Sequence, residues 1–372
     1  MKEWCSNEGV PGPSEELEGH RPKNQPVCSF GFVNKPIPAG SETWRSPAGK
    51  DAIQEERKKH EKKGTWNVNK VVELSKLLEE KRKSGEEIIL GGVHPVMYQK
   101  HSESPADAVL RARVVFTAPR AKTNSGFDPH TIYNEISSAP VTFQAARASR
   151  AVGALRGFVS STRDAESAYL QASLNRKGSL RTFVALPQAF WPESWKGKFV
   201  KPMVPLDLAL FGHPEAGNIW QDFSFGQLRS LEWKDAPEFK SVFMHKKSKA
   251  MLTGYVDDFD MQASKEDSKR HWEEIEKVIE FKEPPRYWSN EPTPHLGCQF
   301  RTTQVKTKDG HILTTTDSEM KAYLLDLVSK FEKRWEVKIK PCKTPYLDAA
   351  EEKKILAKKM KNHFMARKQH HR

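Results

Sequence analysis

Met251-Leu252-Thr253-Gly254-Tyr255-Val256-Asp257-Asp258-Phe259-Asp260-Met261 sets two adjacent carboxylates between short, largely apolar arms. The arms read as the strands of a β-hairpin with Asp257-Asp258 at its tip. Aspartate is depleted in strands, and neighbouring like charges repel. A divalent cation gives a reason to place them there, because it inverts the local electrostatics. Taken alone, the same tetrapeptide also reads as a simple acidic turn.

A third carboxylate stands upstream. Phe158 to Thr162 is β-prone and leads into Asp164-Ala165-Glu166-Ser167-Ala168-Tyr169-Leu170. Ala165 to Leu174 reads as a helix, which makes Asp164 by itself a natural N-cap. At the end of a strand, however, Asp164 can also meet Asp257 and Asp258 on a neighbouring strand. Three carboxylates around two Mg²⁺ ions would make a two-metal phosphoryl-transfer site. Hard oxygen ligands suit Mg²⁺, or Mn²⁺ in its place.

The remaining sequence bounds the setting. The chain has 372 residues, 37% of them hydrophobic and 29% charged, and a net charge of +13. That balance suits a soluble protein with a polyanion partner, since Lys and Arg gain affinity by releasing phosphate counterions. No apolar run approaches the roughly 20 residues of a membrane helix, and Met1 to Gly12 lacks a secretory pattern. An intracellular, cytoplasmic protein is expected. Cys5, Cys28, Cys298 and Cys342 lie far apart, without zinc-like spacing.

Residues 1–50 read as a disordered polar extension rich in Pro, Gly, Ser and Glu. Asp51 to Lys63 reads as a charged helix, and Val71, Leu74, Leu77 and Leu78 form a helical stripe. Ile88-Ile89-Leu90 reads as a strand ended by a turn at Gly91-Gly92. Ala108 to Thr117 alternates as a strand, stopped at Ala118-Pro119. Helices are expected over 141–156, 216–228 and 268–281, and a strand over 182–187. A capping box at Thr316–Glu319 predicts a helix from there to about Lys333. The tail from Ala349 reads as a basic helix. Helices and strands mix without strict alternation, which predicts an α+β fold with a largely antiparallel sheet.

These residues together resemble the reverse transcriptase of copia-type retrotransposons. In that family a strand Asp followed by x-x-x-Ala-Phe/Tyr-Leu precedes a Tyr-Val-Asp-Asp hairpin, at about the distance between Asp164 and Asp257. Leu210-Phe211-Gly212-His213-Pro214-Glu215-Ala216-Gly217, with Trp220 after it, resembles the family's Leu-Tyr-Gly-Leu-Lys-Gln-Ala-Pro segment. Gly64-Thr65-Trp66, Arg111-Ala112-Arg113-Val114-Val115, Ala139-Pro140-Val141, Leu186-Pro187, Leu296-Gly297 and Thr344-Pro345 resemble further family motifs in the same order. The resemblance covers about residues 52–347.

It implies a right-hand polymerase, with fingers at about 52–157 and a ferredoxin-like palm at 158–290. A helical thumb or connection would follow at 291–347, and a basic tail at 348–372. It implies an RNA-directed DNA polymerase acting on a template-primer and a dNTP, with Asp164, Asp257 and Asp258 as the catalytic ligands of two metal ions. Tyr169 would pack under the incoming sugar and favour dNTPs; otherwise it is a core aromatic. Arg111 and Arg113 would hold the triphosphate; otherwise they are solvated strand charges. Ala165 and Tyr255 flank the carboxylates within the substrate-binding motifs, and Phe211 would contact a nucleotide face.

The chain also departs from the family. Glu215 replaces a Gln, Gly217 a Pro and Pro214 a Lys, and a carboxylate at Glu215 would add negative charge where phosphates pass. Protease, ribonuclease H and integrase patterns are missing, so a piece of a longer polyprotein is expected. The alternative reading is a degenerate, inactive copy that keeps the fold and nucleic-acid binding.

Overall fold

The computed structural model describes residues 35–100, 109–117, 121–126, 138–310 and 312–339. The polar extension before residue 35, Ala118-Pro119, Thr344-Pro345 and the basic tail lie outside the described residues. The chain divides into two compact units: residues 32–321, and residues 1–31 with 322–372. Helices and strands are mixed, so the fold is α+β. Among the described residues, no helix is long and apolar enough to cross a membrane.

The larger unit opens with β1 (Lys35–Ile37), α1 (Glu42–Arg45) and α2 (Pro47–Lys63). Residues 35–50 are therefore structured rather than part of the polar extension. The Ser46 side chain accepts the Gly49 N–H, and Pro47 at the first helical position fixes the start of α2. Next come β2 (Val72–Glu73), α3 (Leu74–Ser84), β3 (Ile88–Lys100), β4 (Val109–Phe116) and β5 (Lys122–Thr123).

Strand β3 runs 13 residues, straight through Gly91-Gly92. The expected turn is absent because a Cβ on Gly91 would lie 2.5 Å from the Phe116 ring. Glycine here serves close packing rather than chain reversal. One end of β3 pairs with β5 and the other with β4 and β1. β3 also pairs in parallel with β7 (Arg181–Ala185), which passes the sheet on to β8 (Pro202–Pro205) and β2. The first core lies on this sheet, around Trp66, Ile89, Phe116, Val184, Phe190 and Leu210.

A second sheet follows helix α4 (Phe143–Leu155), which is capped by Thr142. It contains β6 (Val159–Asp164) and, beyond α5 (Ala216–Ser230), β9 (Trp233–Ala236), β10 (Phe239–His245), β11 (Met251–Tyr255) and β12 (Asp258–Ala263). Helix α6 (Lys265–Glu276) and β13 (Arg286–Tyr287) complete it. The strand order is β13-β6-β12-β11-β10-β9, and every pair is antiparallel. Within it, β6-α5-β11-β12-α6-β13 is a β-α-β-β-α-β unit.

The pleat sorts the residues of β12. Phe259, Met261 and Ala263 join Trp220 and Leu228 of α5 and Trp272 and Ile275 of α6 in a second core. Asp258, Asp260 and Gln262 take the opposite face, where Arg150 of α4 binds Asp260 at 2.7 Å.

A third, three-stranded sheet is formed by β14 (Thr293–His295), β15 (Cys298–Lys306) and β16 (Ile312–Glu319). Thr316–Glu319 is thus strand, not the start of a helix, and 293–319 is sheet rather than a helical thumb. Thr302 and Thr303 face Thr316 and Thr315 across the ladder, and β-branched pairs of this kind favour strand over the capping pattern. Helix α7 (Lys321–Trp335) begins only afterwards.

The end of β4 is tied to the turn that precedes α5, where Phe116 donates its N–H to Phe211 O at 2.8 Å. Gly212 makes that approach possible. Its φ is +90°, and an added Cβ would stand 2.6 Å from Phe116 O. Gly212→Ala is expected to destabilise the protein by about 2–3 kcal/mol through combined strain and overpacking, read from the midpoint of urea unfolding.

Candidate active site

The hairpin closes with two residues, Val256 and Asp257, between the paired Tyr255 and Asp258. Val256 has φ 58°, a left-handed conformation uncommon for a β-branched residue. It is held there from outside: the Trp220 indole N–H donates to Val256 O at 2.7 Å. The Val141 N–H likewise donates to Gly254 O at 2.9 Å.

Asp258 pairs directly with Asp164 on β6, so both carboxyl groups stand on one face at one end of the sheet. They hydrogen-bond to each other. Asp257 sits beside them on the turn, and its carbonyl accepts the Ala165 N–H at 2.7 Å. The expected helix after Asp164 does not form, because its backbone is bonded elsewhere. The Glu166 N–H donates to Glu280 O, Lys282 donates to Asp164 O, and Ser167 is left-handed. Only a 3-10 turn, Ala168–Gln171, follows.

Burial pushes the Asp258 carboxyl up; its hydrogen bond to Asp164 and the charges of Asp164 and Asp257 raise it further, to about 8. Burial also raises Asp164. The hydrogen bond from Asp258 and the nearby Lys282 and Arg286 outweigh that, so Asp164 titrates below the ordinary aspartate range. Near neutral pH the pair therefore shares one proton.

Lys282 stands over the site, with Nζ 3.7 Å from Asp164 Oδ2 and 4.0 Å from Asp257 Oδ2. Sequence reading missed it because no motif surrounds it; backbone bonds from Glu280 and Lys282 to the segment at Asp164 bring it here. Arg286, also missed, bonds Glu283.

Asp164 and Asp257 open onto a cleft of about 700 Å³, which Asp258 does not line. Lys282, Tyr169, Arg111 and Arg113 of β4, Tyr98 of β3 and Lys59 of α2 are among the residues that line it. Arg111 and Arg113 share the exposed face of their strand, as the alternation predicts. Arg113 lies over the Tyr98 ring, 5.5 Å from its centroid.

Burial and the charge of Asp257 raise the Tyr169 hydroxyl while Arg113 pulls it down, so both charges reach this ring. Tyr169 and the exposed Phe211 tilt together, with centroids 6.2 Å apart.

Other sequence candidates lie apart. Ala165 is fully buried in the second core, and its N–H is already bonded. It does not line the cleft. Tyr255 is exposed beside Asp258 but does not line the cleft either. Glu215 is buried, pairs with Arg176 at 3.2 Å, and leaves Oε2 without a partner. Its charge does not face the cleft, contrary to the expectation drawn from its sequence position.

No protein-family model matches this chain, and no curated protein matches it.

Among the described residues, no three His, Cys, Asp or Glu side chains converge as a ready ligand cage. Two observations nevertheless fit a cation. Burial and the neighbouring carboxylates hold a proton on Asp258 far above the normal range, the mark of negative charge crowded into a partly buried site. An ammonium, that of Lys282, already spans Asp164 and Asp257.

Because folding raises the Asp258 pKa, its contribution to stability is present below about pH 4 and is lost as pH rises through about 8. In metal-free buffer, Asp258→Asn should match the unsubstituted protein only at about pH 4 and below. It should exceed it at pH 9, by about 2–4 °C in Tm for each kcal/mol of repulsion removed. Calorimetry across this pH range checks both points.

Proposed function

We propose that this chain is an RNA-directed DNA polymerase of the copia-type reverse transcriptase class. One observation carries the reading: Asp258 is set against Asp164 at the end of a β-α-β-β-α-β sheet, and Asp164 and Asp257 line a cleft that Arg111 and Arg113 also line. The strand order β13-β6-β12-β11 supports a ferredoxin-like palm. In this reading, α2, β3 and β4 belong to the fingers.

Asp164, Asp257 and Asp258 are the residues that would hold two Mg²⁺ or Mn²⁺ ions. When bound, such ions activate a hydroxyl and neutralise charge developing on a phosphoryl group. The protein's own task is positioning. Arg111 and Arg113, which line the same cleft, grip the triphosphate of a dNTP. Tyr169 and Phe211 offer ring faces to the sugar and base. Lysines along the cleft hold the template-primer backbone without reading sequence. The primer 3′-oxygen bonds to the α-phosphorus, the bond to the β-phosphate oxygen breaks, and pyrophosphate leaves.

The test is dNTP incorporation on poly(rA)/oligo(dT) with Mg²⁺ and with Mn²⁺. Incorporation is expected to fall by at least about a hundredfold in Asp257→Asn. Arg113→Ala should raise KM for dTTP by about tenfold, the scale of one charge-assisted contact. If the unsubstituted chain binds the template-primer without incorporating nucleotide, the enzyme reading fails and an inactive nucleic-acid-binding protein takes its place.

A further inference from the structure

We infer that Lys282 is a built-in counter-cation, which occupies the carboxylate site when no metal is bound and must leave Asp164 and Asp257 before a divalent ion can enter. The inference rests on the two-metal reading of the site and concerns its regulation.

Three observations carry it. First, the ammonium reaches two of the three carboxylates at once, 3.7 Å from Asp164 and 4.0 Å from Asp257. Both distances exceed that of a tight hydrogen bond, so the ammonium acts as a charge held near the pair rather than as a fixed bonding partner.

Second, the backbone beneath it is pinned while the side chain is free to move. The Lys282 N–H donates to Asp164 O at 3.1 Å, and Ala165 bridges to Phe281 next to it. The side chain itself is about half exposed. A pinned backbone with a half-exposed arm lets the ammonium swing into the cleft without rearranging the sheet.

Third, among the described residues Lys282 is the cation within ion-pair distance of Asp164 and Asp257, while Arg286 acts on the pair only as a charge at longer range. Arg286 pairs with Glu283, and Lys63 with Glu280. Among the described residues, the acidic partners of Lys282 are the site carboxylates themselves.

A monovalent ammonium so placed competes with a divalent cation for the same oxygens. It lowers the repulsion between the carboxylates in the metal-free protein and weakens metal binding to the same extent. A merely structural lysine would do the reverse: its loss would loosen the site and weaken binding.

The test is Mn²⁺ binding by the full chain, measured by electron paramagnetic resonance with metal alone, for the unsubstituted protein, Lys282→Met, Lys282→Arg and Asp257→Asn. Lys282→Met should bind Mn²⁺ about three- to tenfold more tightly, the range that two half-exposed ion pairs supply. Lys282→Arg, which keeps the charge, should stay near the unsubstituted affinity.

If Lys282→Met binds no more tightly while Asp257→Asn still abolishes binding, the counter-cation inference falls and the metal reading stands. If Mn²⁺ binding is absent throughout, both fall. Should Mn²⁺ bind only to Lys282→Met, the inference is upheld in its strongest form.

Discussion

Register between β6 and β12 forces two like charges together, and the site follows from that constraint. Opposite each other on an antiparallel ladder, Asp164 and Asp258 cannot separate without breaking strand pairs. A slip of one residue would turn Asp258 toward Trp220 and Trp272 and bring Phe259 out. Placing an unpaired carboxylate in that core costs several kcal/mol. The apolar alternation of Phe259, Met261 and Ala263 therefore holds the carboxylates where their own repulsion would not. What remains for chemistry is a carboxyl pair sharing one proton, an adjacent ammonium and a third carboxylate within that ammonium's reach.

The arginines of the cleft depend on a different contact. Arg111 and Arg113 reach the cleft because β4 lies on the long strand β3 and its end is tied to Phe211. Two glycines allow this, Gly91 under the Phe116 ring and Gly212 against its carbonyl. Arg111, Arg113, Asp164 and Asp257 thus line one cleft. A substrate with both negative charge and a metal-seeking oxygen suits that lining.

Much of this was legible in the sequence, and the failures have physical causes. The hairpin at Met251–Met261 was readable because a period of two with a turn in the middle is a local pattern. The shared exposed face of Arg111 and Arg113 was readable for the same reason. The segment after Asp164 was misread as helix because what prevents it is remote: its backbone partners are Asp257, Glu280 and Lys282. Gly91-Gly92 was misread as a turn because Phe116, which demands the missing side chain, comes much later in the chain. At Thr316 a capping pattern competed with strand pairing, and the facing threonines of β15 prevailed. Lys282 has no local signature at all, since its place is set by backbone ties from Glu280, Phe281 and Lys282 to the segment around Asp164.

The hairpin tip has a further consequence. Val256 holds a left-handed backbone worth about 1–3 kcal/mol of strain, and a tryptophan on a separate helix keeps it there. In mechanical terms the tip is a loaded spring, with Trp220 as its clamp and Asp257 mounted on the moving end. Residues without any chemistry of their own thus set where the third carboxylate stands. Natural variation at position 220 would be felt as misaligned charge at the cleft well before it was felt as a loss of fold.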